Sequence, residues 1–262
     1  MLRLQRPDPV RLRLLTLGIV ATVGSEGHGD SDGAVPHTPH SLAVKNILNW
    51  VDPFFSRLFA PLGPPVPWNQ TTYGALLALA VVWAVRVYTT WGAWGNLTID
   101  SGREMYVPVL LVEGKKLYRD VWFIHGPAGP YVNCVLFRLF GIHLEVLYWA
   151  GSLSALGTAI LLYVCGMRLS SWIVGWTAGA VVILEGFQPS LFCFPLPYSF
   201  SAVYGCVFGS LFIWLMIRAT TSTHWSWMLA AGTAAAVELL LKSEFGMACY
   251  LTLVPLILIR GV

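Results

Sequence analysis

Asp100 and Arg103 stand three residues apart in the longest segment of the chain that is rich in both charge and aromatic side chains, residues 100–141. A carboxylate that stays ionised can take a proton from an attacking hydroxyl. A guanidinium beside it can grip a phosphate through two N–H groups at once. Glu104, Asp120 and His125 lie in the same stretch. Alone, Asp100 would read as a helix-start residue, because free amides and the helix dipole favour a carboxylate there. Arg103 one turn on, and apolar runs on both sides, raise the chemical reading. His125 sits in the turn His125-Gly126-Pro127. A lone histidine is more often a hydrogen-bonded structural residue, but this one is expected to face the same compartment as Asp100. Arg119 and Asp120 also fit a surface ion pair, which contributes little.

Ionisable residues inside apolar runs are costly and mark functional candidates. Arg86 fits a side chain that snorkels to the interface. Glu185 ends an apolar run beside the loop QPSLFCFPLPYSF and is a supporting candidate. Glu238 and Lys242 form an i,i+4 pair with the acid first, the favourable order. They read equally as an internal ion pair or as a site where Lys242 meets a phosphate. Glu244 follows two residues later.

The elements that must position these groups are membrane helices. The chain has 262 residues, 56% hydrophobic and 11% charged, with a mean hydropathy of +0.66. A water-soluble domain carries about 25% charged residues, so the class is all-α integral membrane. A crossing helix needs about 20 apolar residues, and the candidates are 73–94, 144–166, 171–187, 199–217, 226–242 and 246–260. Arg3, Arg6, Arg11, Arg13, Lys45 and Arg57 precede the first, Arg168 and Arg218 fall between later ones, and Arg260 ends the last. Positive charge collects on the cytoplasmic side, which sets the N-terminus inside and residues 95–141 outside. The outer Lys115, Lys116, Arg119 and Arg138 run against that rule but have acids nearby.

Within the outer loop, Ser101-Gly102-Arg103-Glu104 matches a capping box, so a short helix is expected, kinked or ended near Pro108. Residues 130–140 suggest a second short interfacial helix, with Arg138 in its last turn and Gly141 as the stop. Residues 1–40 begin like a signal peptide, but the apolar run is too short to span. The polar, Gly/Pro-rich remainder favours a disordered extension. Residues 41–60 read as an amphipathic helix on the cytoplasmic interface, broken or kinked at Pro53.

Several classes are disfavoured. Cys134, Cys165, Cys193, Cys206 and Cys249 form no CxxC pair and no zinc-ligand spacing, and mostly fit small buried apolar residues. No internal repeat is found, which counts against a secondary transporter. Asn69-Gln70-Thr71 and Asn96-Leu97-Thr98 match the glycosylation sequon, a motif common at unmodified sites.

Taken together, the loop resembles the first external loop of the GT-C membrane glycosyltransferases that use polyprenyl-phosphate sugars. The resemblance is nearest to bacterial enzymes related to dolichyl-phosphate-mannose–protein mannosyltransferases and to lipid A aminoarabinose transferases. It rests on Asp100 after the first span with Arg103 soon after it, and on the L-x-x-G-x-x-x-Y-x-D segment at 111–120. The turn at His125-Gly126-Pro127 and the aromatic helix ending Phe140-Gly141 complete it. The likeness runs from about residue 73 to 260 and is densest over 99–141; Lys242-Ser243-Glu244-Phe245-Gly246 is similar to a K-x-E-x-G segment of the family. Two departures stand out: Ser101 where the family usually has Glu, and His125 where the aminoarabinose-type enzymes have Lys.

The resemblance implies a truncated GT-C-like domain over 73–262. Asp100 would be the catalytic base, and Arg103, His125 and Lys242 would bind the donor phosphate, with Glu104, Asp120, Glu185 and Glu244 in support. It implies transfer of a sugar from a polyprenyl-phosphate donor to a lipid, glycan or protein acceptor of the cell envelope, at the cytoplasmic membrane. No nucleic acid partner and no cofactor are called for, and a metal requirement is left open. The chain carries no nucleotide-binding glycine motif, in keeping with a lipid-borne donor. The rival readings are a membrane transporter or channel, and a catalytically inactive N-terminal fragment, since related enzymes have more spans.

Overall fold

The computed structural model describes residues 69–92, 100–188, 193–222 and 224–261. The disordered extension expected over 1–40, the interfacial helix expected over 41–60 and the sequon at Asn96 lie outside the described residues. The chain divides into two compact units, one of Met1–Ala60 with Pro255–Val262 and one of Pro61–Val254. The elements and contacts that follow belong to the second, apart from the end of the last helix.

The described residues are all-helical, with no strand. Among the described residues there are eight helices: α1 Gln70–Thr90, α2 Asp100–Val112, α3 Ala128–Phe140, α4 Leu144–Leu169, α5 Trp172–Gly186, α6 Phe200–Thr221, α7 Ser226–Leu241 and α8 Ser243–Gly261. Three of them, α1, α4 and α6, are long and apolar enough to cross a membrane, and α5, α7 and most of α8 are shorter apolar helices. An apolar surface all round is the mark of a helix enclosed by protein or lipid. Tyr73, Leu77, Val81, Val85 and Tyr88 leave one flank of α1 exposed and apolar.

Local chemistry sets the helix ends. Asn69 caps α1, its Oδ1 accepting the Thr72 N–H at 3.0 Å and the Thr72 hydroxyl at 3.1 Å, so the side chain of that sequon is engaged. Ser171 caps α5 through the Val174 N–H. α3 stops where expected: Gly141 has φ +88, and its N–H donates to the Phe137 carbonyl at 2.9 Å, a conformation that side chains other than glycine resist.

The core forms where α4 meets α5 and α6, with α1 laid against α4 and α5. Leu79, Ala155, Ala159, Tyr163, Ile183, Phe187, Phe200 and Val203 are buried in one cluster. Small residues let the backbones close up, as is usual among membrane helices: a Cβ on Gly166 would stand 2.4 Å from the Gly175 Cα. Two side chains tie α1 to this block. Trp83 Nε1 donates to the Ser152 carbonyl at 2.7 Å. Arg86 Nη2 donates to the Leu184 carbonyl at 3.4 Å. The cation therefore meets the C-terminal end of α5, where the helix dipole favours it.

α2 and α3 pack on each other, and α3 also touches α4, α6 and α7. Two sequence expectations for α2 are corrected here. Of the two outcomes expected at Pro108, a kink or an end, the end does not occur: the helix runs on to Val112. Pro108 is buried in it, between Val107 and Leu111 of a small cluster with Leu117, Phe123 and Cys134. Packing on both sides outweighs the one backbone bond that proline removes. Nor does Ser101 cap the helix: Asp100 already lies within it, and Ser101 is a buried residue of the first turn. Glu104, freed from the capping box, goes elsewhere.

Candidate functional site

The site grows out of the first turn of α2. Asp100 and Arg103 share one face, and Arg103 Nη2 stands 3.5 Å from Asp100 Oδ1, with the Asp100 side chain 51% exposed. That is an accessible acid beside a partly sheltered guanidinium. Arg103 also lies 4.0 Å from Glu104 Oε1, and its guanidinium sits over the Phe123 ring at 5.9 Å, a cation–π placement.

Glu104 is buried. Its Oε2 accepts the backbone N–H of Phe200, the first residue of α6, at 2.9 Å. Ser199, at the N-cap of α6, makes no side-chain capping bond, so Glu104 caps that helix from outside. Burial pushes its carboxyl up to about 7, against the lowering pull of the Phe200 N–H and of Arg103. Nearby, the Tyr204 hydroxyl donates to Asn133 Oδ1 inside the protein, so a polar seam runs between α3 and α6.

The segment from Gly114 to Pro127 carries His125 back to this face. Leu117 and Val121 form a bridge. Tyr118 has φ +64, a strained conformation for an aromatic residue. Its N–H donates to the Val121 carbonyl at 2.8 Å, and its hydroxyl donates to the His125 carbonyl at 2.6 Å. Asp120 closes the turn: Oδ2 accepts the Lys116 N–H at 2.9 Å, and Arg119 grips both oxygens at 2.9 Å. Those contacts hold the Asp120 carboxyl down at about 2. Asp120 is therefore a fastening of the loop.

His125 lies edge-on to Phe123, ring centroids 5.7 Å apart. Its imidazole is held below its ordinary range, first by burial, then by the charges of Lys242 and Arg103, with Glu244 and Asp100 pulling the other way. Five charged or titratable groups from three separate stretches thus share one neighbourhood: Asp100 and Arg103, His125, Lys242 and Glu244. Near neutral pH the imidazole acts as a neutral hydrogen-bonding group, so the positive charge comes from Arg103 and Lys242. Glycine makes the approach possible. A Cβ on Gly126 would stand 2.1 Å from the Leu240 carbonyl oxygen and 2.9 Å from that of Leu241, so this turn lies directly on the end of α7.

Lys242 occupies the break between α7 and α8, with an extended backbone (φ −149, ψ 113). The expected Glu238–Lys242 pair is not formed. The extended residue leaves the helical register that an i,i+4 contact needs. Lys242 Nζ instead donates to the Tyr198 hydroxyl at 3.1 Å, and it lies 5.6 Å from the Tyr198 ring and 5.2 Å from that of Phe245. Glu244, in the first turn of α8, accepts from the Ser243 hydroxyl at 3.3 Å and is held below its ordinary range by hydrogen bonds and by Lys242 and His125. Glu185 is not part of this group: it stands at the end of α5 and lines a cavity with Glu238.

Sequence reasoning missed Tyr198, Phe123, Gly126 and the Phe200 amide. Tyr198 closes the loop at 188–198, but nothing in that loop pointed to the lysine between α7 and α8, and Phe123 reads as one aromatic among many. Among the described residues no group of three His, Cys, Asp or Glu side chains could hold a metal ion. The arrangement can take a proton at Asp100 and stabilise an anion between Arg103 and Lys242. No family model, curated protein or solved structure matches the chain.

Proposed function

We propose that this chain is a membrane glycosyltransferase that moves a sugar from a polyprenyl-phosphate donor to an acceptor hydroxyl. One observation carries the reading: the exposed acid Asp100 pairs with Arg103 at 3.5 Å, and His125, from a second stretch, feels the charge of both and of Lys242 from a third. The donor's anomeric carbon would lie between Asp100 and the cations. The acceptor oxygen attacks that carbon and gives its proton to Asp100 as the carbon–oxygen bond to phosphate breaks, inverting the centre. Negative charge grows on the departing polyprenyl phosphate, where Arg103 and Lys242 stabilise it and the His125 ring can donate a hydrogen bond.

In this reading the chain is a GT-C-type protein that crosses the cytoplasmic membrane six times. Its N-terminus is inside and the face bearing Asp100 outside, with α2 and α3 at the interface. The apolar character of α1, α4 and α6 supports membrane embedding, and a prenyl tail would remain in lipid while its head meets the cations. Acceptors in reach are lipids, glycans or proteins of the cell envelope.

The test is transfer by the full chain in liposomes, with a panel of labelled polyprenyl-phosphate sugars and an envelope extract as acceptor. The reading expects label to leave one donor of the panel. Label retained by every donor would overturn it.

A further inference from the structure

A second set of acids lies apart from the site just described. Glu238 of α7 is fully buried, and neither carboxylate oxygen has a well-formed hydrogen bond, the Gly209 backbone N–H being a donor near it. It is seated against a stretch of α6 that lacks side chains: a Cβ on Gly205 would stand 3.2 Å from Oε2, and one on Gly209 3.1 Å from Oε1. The carboxylate and Glu185 of α5 both line a cavity of about 630 Å3 among α4, α5, α6, α7 and the start of α8. Its other walls are largely apolar, including Leu162, Val181, Ile213 and Phe245, and it has no Lys, Arg or His among its lining residues. The nearest basic candidate in the sequence, Lys242, is turned to Tyr198 instead.

We infer that this cavity is a binding site for an amphiphile with an ammonium head. A buried carboxyl without well-formed hydrogen bonds is an expense that folding carries only where something offsets it, and the group that matches its two oxygens is a cation with N–H donors. Two acids and no base exclude an anionic head. The apolar walls select a hydrocarbon body, and the volume falls in the range of small-molecule pockets. The chemistry is opposite to that of the Arg103–Lys242 face, which suits phosphate, so the two sites take different ligands and this inference does not rest on the transferase reading.

The experiment uses the full chain in phosphatidylcholine nanodiscs and dicyclohexylcarbodiimide, an apolar reagent that adds to protonated carboxyls. Labelling of Glu238 is followed by mass spectrometry, with dodecylammonium or dodecanol as competitor. The expected result is labelling of Glu238 that dodecylammonium slows by about tenfold or more, the worth of one charged hydrogen bond, while dodecanol leaves it unchanged. Equal protection by amine and alcohol, or no labelling of Glu238, overturns the inference. Discs containing phosphatidylethanolamine separate the sources. Protection without added amine assigns the head to a lipid, and protection by dodecylammonium alone assigns it to a free amine. Protection by neither overturns the inference. As a second readout, dodecylammonium should raise the unfolding temperature of the wild-type chain and not that of Glu238→Gln or of Ala248→Trp, which blocks the cavity from α8. An equal rise in all three contradicts the assignment.

Discussion

The carboxylate of Glu104 holds the backbone N–H of Phe200 at 2.9 Å, across a separation of 96 residues. One helix of the candidate site is thereby pinned to the start of a long apolar helix, and Arg103 on the adjacent position inherits that anchor. Burial of that carboxyl, working against the lowering pull of the bond, also makes stability depend on pH. The folded carboxyl is raised from 4.5 to about 7, so the fold favours its protonated form. Stability from this group is fully present below pH 4.5 and is lost as pH rises through about 7, by roughly 3 kcal/mol in all. Glu104→Gln keeps an acceptor for Phe200 and removes the titration. The difference in unfolding temperature between the wild type and Glu104→Gln should shift across pH 4.5–7 in favour of the variant; a difference independent of pH would refute this.

Gly126 bears on the same architecture from the other side. An added methyl would land 2.1 Å from the Leu240 carbonyl oxygen, which is backbone and cannot swing aside. Gly126→Ala should cost about 1–3 kcal/mol, the range for overpacking, and should also move His125 away from Lys242. Thermal unfolding in detergent measures the first effect. Recovery of the ordinary imidazole titration, followed by NMR, measures the second. A variant as stable as wild type, with an unaltered histidine, would show that the turn does not bear on α7.

The break at Lys242 yields a third prediction. Tyr198 holds the ammonium by hydrogen bond and ring face together. Tyr198→Phe removes the bond but keeps the ring, so donor affinity should fall by several-fold, corresponding to about 1 kcal/mol. Lys242→Met should lower it further by removing the charge. Equal donor affinity in wild type, Tyr198→Phe and Lys242→Met would take Lys242 out of the phosphate site.

Much of the scaffold was legible in the sequence because hydropathy and capping act locally. The positions of the six apolar helices follow from hydropathy, and the stop at Gly141 from its need for positive φ. Asp100, Arg103 and His125 could be singled out by residue type and by their turn and helix-start settings. What escaped depends on contacts between distant parts of the chain. Glu104 matched a local capping box, yet the amide it caps belongs to Phe200. Lys242 had an acid at the right spacing, yet one extended residue removed the register and gave it to Tyr198. Asp120 had the right type for a site but is consumed by Arg119 and the Lys116 amide. Periodicity carries no information about such pairings.

The most direct test is Asp100→Asn, with donor binding and sugar transfer measured on the same reconstituted protein. The asparagine keeps the size of the side chain and loses the proton acceptor, while Arg103 and Lys242, the cations proposed to meet the donor phosphate, are unchanged. The account predicts donor affinity within about threefold of wild type and transfer reduced by about 100-fold or more, the usual contribution of a positioned general base. Transfer by Asp100→Asn at the wild-type rate would contradict it.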